Sequence, residues 1–306
     1  MDNQNISSEN PEELPVEKDE SIRVFYDGKF LDATDSDFIA EEVPTQVVIL
    51  AGASESGKTT LLASMYEKFS NGKFAGYAFS GSKTLPGFEE RCHLARIASM
   101  RSKPDTERTK AKNIIEMLHL KVAKQNYFQE KTNILLTDIS GETFRTIRDS
   151  TEQCRKMKIL SRADHFSLLI DGAHLANVRL RQIALSDSRA LLRSCFDSGM
   201  LGKHTLVEVV FSKWDLIEPR KRKSPHTKFV DFAKGSLNDE FGKAFGKLAF
   251  YEIASRPADT TKYAFGYNLD SLFLSWVSET PERQHLGSNS DIDLGSLGEI
   301  DKFASG

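Results

Sequence analysis

Eight consecutive residues, Gly52-Ala-Ser-Glu-Ser-Gly57-Lys58-Thr59, constrain this chain more than any other feature. They fit G-x-x-x-x-G-K-[ST] without a mismatch. A β-branched run, Gln46-Val-Val-Ile-Leu50, precedes them. A helical pattern from Thr59 to Phe69 follows, with Leu62, Met65, Tyr66 and Phe69 on one face. Strand, glycine loop and helix in that order make a cradle for phosphate. The glycines let the backbone wrap around an anion, and the loop amides and the helix dipole point at it. In such a cradle Gly52, Ala53, Ser54, Glu55, Ser56 and Gly57 line the phosphates. Lys58 reaches the β- and γ-phosphates as a catalytic charge, and the helix opens on Thr59 and Thr60, with the Thr59 hydroxyl placed to ligate Mg²⁺. A glycine turn with a chance lysine is the bland alternative, and the flanking strand and helix count against it.

Short apolar runs alternate with helical patterns along the rest of the chain. Strands are expected at Met117–Ala123, Asn133–Thr137, His165–Ile170, Leu206–Phe211 and Leu248–Ile253. Polar Lys124–Lys131 suits a hairpin loop between the first two of these. Helices are expected at Thr143–Leu160, Val178–Phe196, Phe229–Phe245 and Leu269–Ser278. The alternation argues for an α/β, three-layer fold with a mostly parallel sheet, to which the hairpin adds one antiparallel edge strand.

Two later strand ends carry chemistry. Asn133-Ile-Leu-Leu-Thr-Asp138-Ile-Ser-Gly141-Glu142 is an apolar strand ending in an acid and a tight turn. After a phosphate loop, an acid there holds magnesium through water, and a glycine lets its backbone N–H approach the γ-phosphate. Ser212-Lys213-Trp214-Asp215 ends the Leu206–Phe211 strand. Asp215 can accept two hydrogen bonds from the N1–H and 2-amino group of guanine, a donor pair that adenine lacks. The Lys213 stem can lie along the base, and Ser212 supplies a hydroxyl where Asn or Thr is usual. Ala254 or Ser255, after the next strand, could offer a backbone N–H to guanine O6.

In order, Gly52–Thr59, Asp138–Gly141, Ser212–Asp215 and Ala254–Arg256 resemble the motif series of the TRAFAC clade of P-loop GTPases, which includes the Ras-like proteins. The likeness runs over nearly all of Thr45–Ser278. The wording of Leu85-Pro-Gly-Phe-Glu-Glu-Arg-Cys-His-Leu-Ala-Arg96 and Leu136-Thr-Asp-Ile-Ser-Gly-Glu142 is closest to the bacterial double-GTPase group, which is associated with multi-gene conflict or defence systems. The resemblance implies a Ras-like G domain that binds GTP or GDP with Mg²⁺ and hydrolyses GTP as a regulatory switch acting on a companion protein. A nucleotide-binding scaffold with little hydrolysis, or a P-loop ATPase, is the alternative.

Small GTPases complete the magnesium shell with a first-switch threonine. Thr84, Thr106 and Thr109 are available in the long Gly72–Lys112 segment, and Thr109 is favoured because it lies shortly before the Met117 strand. Where many of these enzymes place a water-orienting Gln, this chain has Glu142. A carboxylate accepts a proton but cannot donate as an amide does, so slow hydrolysis is expected. Glu142 as an ordinary acid at a helix start is the plain alternative. An arginine finger could come from Arg145, Arg148 or a partner.

Composition narrows the setting. The net charge of −3 leaves no broad basic signature for nucleic acid. The basic run Pro219-Arg-Lys-Arg-Lys223 lacks interleaved aromatics and reads first as a solvated loop, with nucleic acid left open. The histidines lack ligand spacing. Cys92, Cys154 and Cys195 are scattered and odd in number, as in reduced, cytoplasmic proteins. No apolar run reaches the roughly 20 residues of a membrane span. Seven acids and one lysine in residues 1–20 suggest a disordered acidic start, and Gly/Ser/Asp-rich residues 282–306 a flexible tail, leaving 21–281 as one folded domain.

Overall fold

The computed structural model describes residues 28–32, 35, 39–40, 43–95, 116–218 and 225–278. The expected tails, Thr106, Thr109 and the basic run at 219–223 lie outside the described residues. Among those described, one sheet has seven strands: β1 (Thr45–Gly52), β2 (Tyr77–Gly81), β3 (Met117–Lys124), β4 (Tyr127–Asp138), β5 (His165–Ile170), β6 (Leu206–Phe211) and β7 (Lys247–Glu252). Their order is β2-β3-β4-β1-β5-β6-β7. β4, β1, β5, β6 and β7 run parallel. β3 is antiparallel to β4, as the hairpin reading expects. It is not the edge, because β2 pairs antiparallel outside it.

The helices are α1 (Lys58–Ser70), α2 (Leu85–Ala95), α3 (Gly141–Asp149), α4 (Thr151–Lys156), α5 (Gly172–Ala176), α6 (Arg181–Asp197), α7 (Trp214–Ile217), α8 (Pro225–Phe241) and α9 (Leu269–Trp276). They cover both sheet faces. Val47, Ile49 and Ala51 of β1 pack with Phe144 and Ile147 of α3, Leu191 and Leu192 of α6 and Val230 of α8. Val48 and Leu50 pack the other way, with Leu62 and Met65 of α1, Phe88 of α2 and Phe273 of α9. A strand buried on both faces needs a continuous apolar run, and that is what Gln46–Leu50 shows.

Three local expectations change. The polar stretch Lys124–Lys131 is mostly strand, with β4 starting at Tyr127. Before Asn133, β4 has not yet reached β1 and pairs only with β3, so polar side chains there face solvent. The single helix expected over Thr143–Leu160 is broken. Ser150 turns out to extended backbone and its hydroxyl accepts from Gln153 N–H, which ends α3 and caps α4. The Gly72–Lys112 segment is not one loop, since it contributes β2 and α2. Phe88 and Cys92 bury the inner face of α2.

A buried polar cluster ties α9 to the sheet. Glu208 on β6 meets His165 Nδ1 at 2.7 Å and accepts from Ser167 Oγ at 3.0 Å and Ser275 Oγ at 2.9 Å. Trp276 Nε1 donates to Ser167 Oγ at 2.9 Å. Among the described residues no helix is long and apolar enough to cross a membrane.

Candidate nucleotide site

The strand order steps outward on both sides of β1, towards β4 and towards β5. In such sheets the crevice at the carboxyl ends of the strands beside that point is where ligands bind. The loops after β1, β4, β5 and β6 all emerge there.

The loop after β1 is built on left-handed backbone that glycine adopts most readily. Gly52 has φ +138°, and a Cβ on it would lie 2.5 Å from Leu169 O and 2.8 Å from Ser56 Oγ. Glu55 is also left-handed, at φ +64°, where a side chain costs roughly 1–2 kcal/mol. Gly57 caps α1 in a left-handed turn at φ +96°, and its carbonyl receives Leu61 N–H at 2.8 Å. Lys58 folds back across the loop, and its Nζ donates to Gly52 O and Ala53 O, both at 2.9 Å. Ser56 Oγ is buried with no partner among the described residues. A buried hydroxyl left so in a glycine-bounded loop at a helix N-terminus fits a cradle for an anion.

The second loop touches the first. Leu50 of β1 is in register with Asp138, which ends β4, and Leu50 N–H donates to Thr137 Oγ1 at 3.3 Å. A Cβ on Gly141 would lie 2.2 Å from Ser54 N. Only glycine lets the start of α3 come so near the phosphate loop. Ser140 caps α3 by accepting from Thr143 N–H, and Glu142 is exposed in its first turn.

The third loop closes the other side. Ser212 is buried and its Oγ donates to Ile170 O at 3.2 Å. Its Cβ would be 3.9 Å from a Cβ on Gly57, so the base-reading loop abuts the phosphate loop. Lys213 takes a left-handed conformation and caps α7, and Trp214 N–H donates to Ile253 O at 3.0 Å. Asp215 is oriented by Ala258 N–H, which donates to its Oδ2 at 3.1 Å. A carboxylate oxygen can accept two hydrogen bonds, so this contact leaves capacity for a base. Ala254 N–H donates to Tyr267 O at 3.3 Å, which leaves Ser255 as the better placed of the two amides considered for guanine O6.

A family model described as Double-GTPase 2 matches residues 46–277. The chain belongs to the Double-GTPase 2 family. Solved structures also show likeness to the double-GTPase domain. The GTPase-like domain of Ski7 from S. cerevisiae bound to GDP and inorganic phosphate is 14% identical with TM-score 0.47, covering 85% of this chain and 54% of that one. A bacterial selenocysteine-specific elongation factor, EF-Sec, is 12% identical with TM-score 0.40, covering 82% and 30%. The elongation factor SelB from Methanococcus maripaludis in complex with a GTP analogue is 10% identical with TM-score 0.39, covering 78% and 35%. The chain thus spans about half or less of these solved chains. No curated protein matches it in sequence.

Two residues beside the candidate site were not singled out from sequence. Asp171, just past β5, lies against Lys213 and caps α5 by accepting from Ala173 N–H at 2.9 Å. Gly172 packs where a Cβ would be 2.1 Å from Ser212 O. A strand end followed by acid and glycine is the same signal that marks Asp138 and Gly141, and it was present at Ile170-Asp171-Gly172. Thr84 is buried, and its Oγ1 accepts from His119 N–H at 2.8 Å, a structural role. Arg148 bonds Asp149 and reaches Asp187 of α6 at 2.8 Å, and the bond to Asp149 pushes its guanidinium pKa up. Arg145 is exposed and, with Glu142, lines a cleft of about 460 Å³ beside the phosphate loop.

Proposed function

We propose that this double-GTPase domain binds GTP with Mg²⁺ and hydrolyses it slowly to GDP and phosphate. The hydrolysis would drive a regulatory switch on a companion protein, in the conflict or defence setting that the resemblance suggests. One observation carries the reading. Gly52, Gly141 and Gly172 let the motif loops converge at one end of the sheet, at approaches that a side chain would block, and Gly57 supplies a left-handed turn at φ +96° beside Ser212. Convergence of that kind serves a ligand with phosphates at one end and a base at the other.

The orphaned Ser56 hydroxyl and the glycine cradle fit a bound phosphate and its metal. Thr59, Asp138 and, in the segment outside the described residues, Thr109 would hold Mg²⁺, which supplies charge neutralisation at the β- and γ-phosphates. Lys58 would exchange the two loop carbonyls for phosphate oxygens. Gly141 N–H would meet the γ-phosphate, and Asp215 and Ser255 would read the base. Glu142 sits where water must be aligned, and a carboxylate there both lacks an amide donor and is repelled by the phosphate, so turnover is slow. With Arg148 held by two carboxylates, Arg145 or a partner supplies any arginine finger.

Single-turnover hydrolysis tests this. GTP, Mg²⁺ and excess protein should give GDP at a rate on the order of 10⁻⁴ to 10⁻² s⁻¹, and Lys58→Ala should abolish it. GTP that binds but stays intact over hours would leave the scaffold reading in its place.

A further inference from the structure

The cysteines have no pairing that sequence spacing reveals, yet the fold brings two of them together. Cys154 of α4 and Cys195 of α6 are 41 positions apart, and their sulfurs share a hydrogen bond at 3.8 Å. Both are buried, and Ser198 Oγ donates to Cys154 Sγ at 3.1 Å. Cys92 belongs to the core on the opposite sheet face. A disulfide needs about 2.05 Å between sulfurs, so this pair is roughly 1.8 Å of approach from bonding.

We propose that Cys154 and Cys195 are a modification site, a dithiol that peroxides convert to a reversible intramolecular disulfide tying α4 to α6. The Cys154 thiolate attacks one peroxide oxygen. The O–O bond breaks, hydroxide leaves and takes up the thiol's proton as water, and a sulfenic acid remains. The Cys195 sulfur then attacks the sulfenic sulfur. The S–O bond breaks, the S–S bond forms, and a second water carries off the Cys195 proton. Peroxide gains two electrons and the sulfur pair loses them.

The order of attack follows from the surroundings. The hydrogen bond shared with Cys195 holds the Cys154 thiol below its ordinary value, against the effect of burial and with help from Ser198. The same bond, with burial, pushes Cys195 up. Cys154 is therefore the thiol that ionises first. Both thiols are buried, so peroxide reaches them by local opening of α4, a six-residue helix whose Glu152, Gln153, Arg155 and Lys156 are exposed. A shallow depression lined by Ser150, Thr151, Glu152, Arg193 and Ser194 borders it.

The position gives the bond a consequence. Only Ser150 separates α4 from α3, the helix that begins at Gly141. Ser194 Oγ already donates to Ile147 O at 2.7 Å, and Arg148 bridges to Asp187. A covalent third tie would fix the whole Gly141–Lys156 segment on α6. Formation of the disulfide does not depend on nucleotide chemistry; only its effect on α3 rests on the switch reading.

The test treats the purified full chain with hydrogen peroxide and maps its thiols after denaturation and alkylation. The expected result is a cross-linked Cys154–Cys195 peptide with only Cys92 alkylated, restored to three free thiols by dithiothreitol. Hydrogen exchange over Thr151–Lys156 should slow in the oxidised protein without nucleotide. Cys154→Ser and Cys195→Ser should each block the cross-link; if either fails to fold, the wild-type map decides alone. Three alkylatable thiols after peroxide, or Cys154 driven to sulfinic acid without a cross-link, would overturn the proposal. In the oxidised protein α3 should no longer respond to GTP against GDP. An α3 that ignores nucleotide in the reduced protein too would count against the switch reading and not against the disulfide.

Discussion

Lys213 Nζ lies 3.0 Å from Asp171 Oδ1 and 3.1 Å from its Oδ2, so the loop that presents Asp215 is held to the end of β5 by an ion pair. Lys213 is left-handed, at φ 49° and ψ 44°, a conformation that costs roughly 1–2 kcal/mol for a residue with a side chain. The pair offsets part of that cost and sets the direction in which Asp215 leaves the turn.

Asp171→Asn keeps an acceptor for the α5 cap and removes the charge. GTP affinity should fall by up to about 1 kcal/mol, roughly fivefold in Kd, since the lysine is part-exposed and its pair is screened. Asp171→Ala should add about 1 kcal/mol of lost stability from the missing cap. Nucleotide titration and urea unfolding on both variants separate the two effects. Unchanged affinity in both would mean that the ion pair does not position the base-reading loop.

Gly141→Ala places a methyl group 2.2 Å from Ser54 N. The start of α3 must then withdraw from the phosphate loop. Overpacking of this kind costs about 1–3 kcal/mol, so the protein should remain folded by circular dichroism. Its GTP affinity should drop more than its GDP affinity, because the amide contact proposed for Gly141 is with the γ-phosphate. Equal affinities to wild type for both nucleotides would remove Gly141 from the site.

Glu208→Ala strips the acceptor from His165, Ser167 and Ser275 in a buried cluster. An orphaned buried polar group costs about 1–3 kcal/mol, and three neighbours share the loss. A drop of about 3 kcal/mol in urea-unfolding stability is expected, with Glu208→Gln milder. A change below about 0.5 kcal/mol would mean that solvent reaches the cluster.

How much of this was legible in sequence follows from what each element depends on. β1, β5 and β6 are buried on both faces, so their apolar runs announce them. The phosphate loop is local, strand to glycines to helix, and its residues sit together in sequence and in space. β2 was not legible, because its five residues are only half-buried on the outer edge and carry no continuous apolar run. The Ser150 break was hidden because the helical pattern continues on either side of the cap. The Asp171–Lys213 pair joins residues 42 positions apart, and only the parallel pairing of β5 with β6 makes them neighbours. The same holds for Cys154 and Cys195 across α4 and α6.

If the domain switches, exchange should be localised. A non-hydrolysable GTP analogue should protect Gly141–Arg148 more than GDP does, through the γ-phosphate contact at Gly141. Tyr77–Gly81 and the buried face of α2 should change little, because Phe88 and Cys92 already hold that helix to the sheet. Thr109→Ala should erase most of the α3 difference if Thr109 completes the magnesium shell, and Thr84→Ala should not. Equal protection with both nucleotides would leave a constitutive binder.

The central claim is that Asp215 makes the phosphate cradle guanine-specific, and competitive titration of GTP against ATP tests it most directly. A site built around a hydrogen-bonded base rejects the wrong one by about 10⁴-fold, and a preference of at least about 100-fold for GTP is expected of the wild-type chain. Asp215→Ala should weaken GTP by several kcal/mol, since a charged acceptor is lost from its donors. Asp215→Asn should shift the preference towards xanthine nucleotides, whose base offers an acceptor where guanine offers a donor. Wild-type protein that bound ATP as tightly as GTP would contradict the account.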